Sequence, residues 1–321
     1  MPGPLLAQRP AKHDCGNPGQ HWLAAMRAGD FRAAWAVSDA VLAARDPAGR
    51  DDPAQPYHLR WVWDGSDPAG RDVLVRCYHG LGDTLQFCRF LPLLRPLVRN
   101  LVLEVQPELM GLLRDLPGPD RLIPFQPDAP HSPSGCDVEI MELPHLLRAV
   151  PGPAPYLHAV PAPRPAPGLL VGVCWQAGGW DPGRSVPLPL LAPLAALPGV
   201  RLVSLQRGPA AADAAVPGAP PLLLAAERGM DVAAAARLMM ALDLVVTVDT
   251  MVAHLAGALG RPAHVLLQAD ADWRWMADKA DSPWYSSLRL HRQAVQGDWR
   301  GPLAQLNDIV AEWVSDMAKE P

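Results

Sequence analysis

The stretch Val245-Val-Thr-Val-Asp249-Thr250-Met251-Val-Ala-His254-Leu-Ala-Gly-Ala-Leu-Gly260 constrains the fold more than any other part of the chain. Its apolar, β-branched first half reads as a buried strand, and its second half as a helix that follows without a break. Asp249 is placed to cap that helix, and Thr250 offers a hydroxyl in its first turn. His254 lies four residues after Thr250, on the same helix face and near the unpaired N–H groups of the helix start. A hydroxyl, an imidazole and free N–H donors at such a junction make a cradle for phosphate. The same pattern also fits an ordinary strand–helix unit in which Asp249 only caps and His254 only packs.

At 321 residues the chain can hold two cores. A net charge of −5 argues against a nucleic-acid partner. Lysine occurs only at Lys12, Lys279 and Lys319, so anion contacts fall to arginine, histidine or backbone. The cysteines at 15, 77, 88, 136 and 174 form no CxxC pair, and two lie in apparent core strands, which suits a reduced chain. No apolar run reaches membrane-spanning length and the N-terminus lacks a signal-like segment, so a cytoplasmic location is expected.

Residues 21–46 carry helical periodicity broken once at Gly29-Asp30, which predicts an αα-hairpin. Its small residues at the crossing resemble a single tetratricopeptide unit. One unit cannot form a solenoid, so it is expected to pack on the next domain or to recruit a partner. From Asp72 onward strands and helices alternate, with strands expected at 73–77, 101–105, 121–125 and 137–143. Pro92 and Pro96 should interrupt the helix that starts at Thr84. Prolines between 151 and 167 mark a stiff linker. Beyond it come strands at 169–175, 201–206, 244–248 and 264–268, with helices near 187–197, 231–242 and 302–317. Alternation on both sides of a hinge predicts two parallel-sheet domains facing across a cleft. The expected division is a helical hairpin over 1–57, one domain over 58–155 and a second over 156–321, with the last helix returning across the hinge.

Three further loops carry chemistry. Gly80-Leu-Gly82-Asp83-Thr84 follows a strand and opens a helix, where a carboxylate is stabilised as an anion and can serve as a base. With Glu104 on the next strand it also allows a dinucleotide site, although Leu85 occupies a position where that fingerprint wants a small residue. The glycine-rich loop from Trp175 to Ser185 presents Arg184 and Ser185 to an anion. Asp270-Ala-Asp272 resembles a metal-binding DxD pair, but no other ligand arrives at suitable spacing, so no metal is expected. Its neighbours Trp273, Arg274 and Trp275 read as a stacking surface or a cover over the cleft.

Together, Gly-Leu-Gly-Asp-Thr at 80–84, Trp175 through Arg184-Ser185, Val-Ser-Leu-Gln at 203–206 and Val-Asp-Thr-x-x-Ala-His-Leu-Ala-Gly-Ala-Leu-Gly at 248–260 resemble glycosyltransferase family 9. That group includes the ADP-heptose:lipopolysaccharide heptosyltransferases, and the hairpin points to the branch associated with tetratricopeptide repeats. The likeness spans about residues 58–315 and implies a GT-B fold of two Rossmann-like domains. It implies metal-independent, inverting transfer of a sugar from a nucleotide diphosphate to a glycan or protein hydroxyl, with no resident cofactor. By position, Asp83 is the base. Arg184 and Ser185 match the diphosphate-contacting region; Asp249 matches the acid near the sugar; Thr250, Met251 and His254 hold the leaving diphosphate. Gly82, Trp175 and Gln206 complete the expected donor site. The chain departs from the pattern at Met251, where the family has glycine, in a short loop without lysine before Arg184, and around 270–275. Two other readings remain: a non-catalytic binding module with a drifted cleft, and an NAD(P)-dependent oxidoreductase using Gly80, Gly82 and Glu104. A homo-oligomer is compatible with the exposed apolar hairpin.

Overall fold

The computed structural model describes residues 17–317, apart from 130, 132–134, 153, 180 and 224–230. The expectations attached to Lys12, Cys15, Pro153, Trp180 and Lys319 lie outside the described residues. The hairpin consists of α1 (Pro18–Ala28) and α2 (Phe31–Ala43). Gly29 ends α1 in the left-handed conformation, at φ 75°, a region open to glycine at little cost. Asp30 then caps α2 by accepting a hydrogen bond from Ala33 N at 2.9 Å.

The first domain holds β1 (Asp72–Arg76), α3 (Leu81–Phe87), α4 (Leu91–Leu94), β2 (Asn100–Val105), β3 (Arg121–Pro124), β4 (Cys136–Glu139) and α5 (Leu143–Leu147). Its parallel sheet has the order β3-β2-β1-β4. The two prolines cut the chain after β1 into α3, α4 and short 3-10 turns at Cys88–Phe90 and Arg95–Leu97. The strand expected over 137–143 stops at Glu139. There the Glu139 carboxylate accepts from Met141 N and Glu142 reaches back to Glu139 N, a reciprocal cap that starts a turn.

The second domain holds β5 (Leu169–Cys174), α6 (Ala192–Ala195), β6 (Val200–Ser204), β7 (Leu222–Leu223), α7 (Val232–Met240), β8 (Leu244–Val248), α8 (Met251–Ala258), β9 (Ala263–Leu267), β10 (Leu288–Arg292) and α9 (Arg300–Met317). These strands form a parallel sheet of order β10-β9-β8-β5-β6-β7. Strands β7 and β10 were not expected. Pro189 and Pro193 shorten the helix expected at 187–197 to a 3-10 turn followed by α6.

Every residue of β5 is buried, as befits a central strand covered on both faces. On one face Leu169, Val171 and Val173 pack with Trp299, Leu306 and Val310. Helix α9 therefore lies on its own domain, against α6, β9 and β10, rather than back across the hinge. On the other face the apolar core runs through Val252 and Leu255 of α8 to Leu85 and Phe87 of α3, so the two domains share one buried interface. The linker is docked along it: Tyr156 N and Leu157 N donate to Ala258 O, and the Tyr156 hydroxyl donates to Leu85 O at 2.7 Å. Among the described residues no helix is long and apolar enough to cross a membrane.

Candidate active site

Loops from the C-terminal ends of both sheets converge on one cleft of about 990 Å³. That is where open α/β sheets bind ligands, because the helix N-termini that follow the strands point their N–H groups there. The two decisive helix starts touch. A Cβ on Gly82 of α3 would lie 2.7 Å from the His254 ring and 3.5 Å from the Met251 backbone of α8. Only a glycine lets the first domain's loop come this close to the second domain's helix.

Asp83 stands in the first turn of α3, where it accepts from Gly80 N at 3.0 Å. Its other oxygen accepts from Arg274 Nη2 at 2.6 Å. Arg274 reaches across from the loop after β9 and also donates to Gln86 Oε1 at 3.0 Å and to Asp272 Oδ1 at 2.9 Å. Burial opposes its charge, but Asp272 and Asp83 outweigh that and hold the guanidinium firmly protonated. Burial likewise raises the Asp272 carboxyl, yet Arg274 keeps it below its ordinary value. The two carboxylates of the DxD stretch part company, because Asp270 pairs with Arg27 of α1 at 2.9 Å.

On the other wall, Thr250 rather than Asp249 is the N-cap of α8, with its hydroxyl accepting from Val252 N at 3.1 Å. Asp249 turns instead toward Arg184, whose Nη1 donates to the Asp249 carbonyl at 2.9 Å and lies 3.5 Å from its carboxylate. Burial, then the nearby Asp272 charge, pushes the Asp249 carboxyl up. His254 is sandwiched between the Trp275 ring, 5.3 Å away and nearly parallel, and the Gly82 backbone. Its Nδ1 lies 3.0 Å from the Tyr285 hydroxyl. Burial, then the Arg274 charge, lowers its pKa to about 3, so the imidazole is neutral at neutral pH. Gln206 pins the glycine-rich loop: its Oε1 accepts from Gln176 N at 2.9 Å and from Trp175 N at 3.1 Å.

Of the residues expected from sequence, Gly82, Asp83, Arg184, Gln206, Asp249, Thr250, Met251 and His254 line this cleft. Met251 stands at its wall without closing it. Trp175 does not line it. Continuing the alternation of Val171 and Val173, Trp175 is buried in the core and donates from Nε1 to Asp213 at 3.1 Å. Ser185 is also elsewhere, its hydroxyl accepting from Ala177 N at 3.1 Å to shape the loop. Glu104 is fully buried and accepts from the Tyr57 hydroxyl at 3.0 Å, so it is not placed to bind a ribose in the cleft. Sequence reasoning placed Arg274 in a stacking surface or cover over the cleft without giving it its contact with Asp83, and it missed Tyr285. The usable signal for Arg274 was its position in a loop following the C-terminal end of a strand.

Comparison with protein-family models and with curated proteins gives no match. Solved structures do match in shape. E. coli ADP-heptose LPS heptosyltransferase II aligns with a TM-score of 0.55 at 16% identity, covering 76% of this chain and 99% of that one. The fold is GT-B. A glycosyl transferase family 9 protein from Veillonella parvula aligns at TM-score 0.52 and 11% identity, over 80% of this chain and 99% of its own. TibC of enterotoxigenic E. coli, an iron-containing dodecameric glycosyltransferase, aligns at 0.52 and 15%, over 78% of each chain. TibC has also been solved in complex with ADP-D-β-D-heptose. The GT-B architecture expected from sequence is thus borne out, with heptosyltransferases as structural neighbours; the likeness to a tetratricopeptide branch rests on the hairpin sequence alone.

Proposed function

We propose that the chain is an inverting, metal-independent glycosyltransferase that moves a sugar from a nucleotide diphosphate to an acceptor hydroxyl. The observation that carries this reading is the meeting of two helix starts across one cleft, one bearing Asp83 and the other Thr250 and His254. Asp83 takes the acceptor proton as the acceptor oxygen attacks the anomeric carbon. The bond from that carbon to the diphosphate breaks on the opposite side, and its electron pair leaves with the phosphate. The departing charge is met by the N–H groups at the start of α8, the Thr250 hydroxyl, His254 and the Arg184 and Arg274 guanidinium groups. Fixed dipoles and charges of this kind stabilise a leaving anion without reorganising. Arg274 bridges the two functions, since it orients Asp83 and faces the same cleft.

Two measurements test the proposal. A thermal-shift screen with ADP-, GDP- and UDP-sugars should raise the melting temperature for at least one donor, because a ligand that binds only the native state stabilises it. Asp83→Ala should then abolish transfer while leaving that shift intact. Unimpaired turnover by the variant removes Asp83 from its role, and no shift with any donor removes the donor site.

A further inference from the structure

Arg89, in the 3-10 turn that follows α3, is 9% exposed and pairs with no carboxylate among the described residues. A buried cation without a counter-ion is costly, so other groups must answer its charge. Its Nε donates to Gln86 O in α3 at 3.1 Å. Its Nη1 donates to Gly152 O of the linker at 3.2 Å and to Trp284 O, between β9 and β10 of the second domain, at 2.7 Å. The guanidinium also lies over the rings of Tyr156 and Tyr285, at 4.4 and 4.7 Å from their centroids. One side chain thus joins the first domain, the linker and the second domain.

What Arg89 holds is Tyr285. A Cβ on Gly257 of α8 would stand 2.3 Å from the Tyr285 ring, so ring and helix backbone touch there and only glycine fits. Arg89 meets the same ring from the first domain and, through Trp284 O, fixes the peptide bond that leads into Tyr285. The Tyr285 hydroxyl is thereby kept 3.0 Å from His254 Nδ1. That bond can run in either direction, because a neutral imidazole carries its proton on one nitrogen or the other. A cation over a phenol ring stabilises the oxygen's negative charge and so makes the hydroxyl the stronger donor. Burial pushes the Tyr285 hydroxyl up to about 12 while the Arg89 charge acts downward, so the proton is kept and readily shared. The same charge opposes a second proton on His254, which burial above all lowers to about 3.

We infer that Arg89 is a positioning residue for His254: from the first domain it seats the Tyr285 ring and makes its hydroxyl the donor to Nδ1, which sets the imidazole proton on Nε2. Parting the domains would take Arg89 from Tyr285 and let both tautomers form, so closure and the state of His254 are coupled. A guanidinium that only pinned the hinge would change stability when replaced and leave the imidazole as it was. The catalytic weight of this coupling rests on the transferase reading above; the positioning itself does not.

The test is nitrogen NMR of His254 in the full chain at neutral pH without ligand, in the parent, Arg89→Met and Arg89→Lys. The parent should show one dominant tautomer, its two ring nitrogens widely separated in shift. In Arg89→Met the two shifts should converge as the tautomers mix. Arg89→Lys keeps the cation and the stem but loses the planar fork that spans two carbonyls and stacks on the rings. It is the variant that folds if Arg89→Met does not, and its shifts should converge as well. Calorimetry with ADP should then show binding about two- to tenfold weaker in each folded variant, because the competent tautomer is only partly populated. Shifts already averaged in the parent, or unmoved in a folded variant whatever its melting temperature, overturn the inference. If the shifts converge but ADP binds none of the chains, the positioning stands and the transferase reading falls. If ADP binds parent and variants alike and the shifts do not move, the inference falls alone.

Discussion

At the scale of single residues, His254 is the group whose state matters most. The Tyr285 hydroxyl is pushed up to about 12 by burial, so it stays protonated, and it shares a hydrogen bond with His254 Nδ1 at 3.0 Å. With that hydroxyl as the donor, the imidazole proton sits on Nε2, the tautomer that can donate to a leaving phosphate oxygen in the proposed transfer. Tyr285→Phe removes the bond that fixes this tautomer. It should lower kcat about tenfold with a smaller change in donor KM, because the donor bond strengthens in the transition state. Nitrogen chemical shifts of His254 would report the mixed tautomers directly, and unchanged shifts with unchanged kcat remove Tyr285 from that role. A pH dependence follows from the same residue. Folded His254 titrates at about 3 and an unfolded histidine near 6.5, so between those values the unfolded chain binds the extra proton. His254's contribution is complete above about pH 6.5 and drains away as pH falls toward 3. His264, lowered to about 4 by burial and then by His291, acts in the same direction. Urea unfolding at pH 7.5, 6 and 5 should show this loss, with a shallower slope in His254→Gln; an unaltered slope assigns the effect to other groups. Asp83 and His254 were legible in the sequence because each sits at a fixed offset from a strand-to-helix junction. Arg274 was legible only as part of a cover over the cleft and Tyr285 not at all, because the contacts that define their roles are made with residues distant in sequence, which no local spacing encodes.

At the scale of elements, the strands that sequence placed best are those buried on both faces, such as β5 and β8, whose apolar runs are continuous. Strand β10, Leu288-Arg-Leu-His-Arg292 at the edge of its sheet, was missed although its alternation of apolar and polar residues is itself a strand pattern, because the run is only five residues long and lacks the continuous apolar signal of the central strands. Trp175 was misassigned to the donor site, although the two-residue period of β5 would have set it beside Val173 in the core. The contact of α3 with α8 was invisible for another reason: a glycine that permits close approach looks in sequence like any turn glycine. Gly82→Ala tests that contact. The added methyl would press on the His254 ring and leave the Met251 backbone in contact range. The ring is also held by Trp275 and Tyr285, so it cannot simply swing away. Overpacking of this kind costs about 1–3 kcal/mol, and the displaced imidazole should reduce transfer more than it reduces stability. Denaturant titration alongside steady-state kinetics measures both, and normal turnover would show that the two helix starts need not touch.

At the scale of the whole molecule, the hairpin is a strap between the domains. Helix α1 is fastened to the second domain: Arg27 Nη2 donates to Asp270 at 2.9 Å and to Ala271 O at 3.2 Å, and Ala277 N donates to Arg27 O at 3.1 Å. The Trp22 and Trp273 rings meet edge to face at 5.1 Å. Helix α2 is fastened to the first domain, where Asp39 accepts from Arg148 at 2.6 Å and sits 2.8 Å from His145 Nε2. On the transferase reading proposed above, nucleotide release that parts the domains would be slowed by a strap across both. Arg27→Ala loosens only the α1 end. The ion pair is well exposed, at 39% and 50% for the two side chains, so its loss should cost no more than about 1 kcal/mol. The effect on any such opening should be larger than the effect on stability, because the bond ties α1, which packs with the rest of the hairpin, to the second domain. Stopped-flow release of a fluorescent ADP analogue is expected to be several-fold faster in Arg27→Ala, with a melting temperature within about 2–4 °C of the parent chain. Release at the parent rate would mean that the hairpin rides on the domains without restraining them, and its tie to Asp270 would then serve only to seat α1 on the second domain.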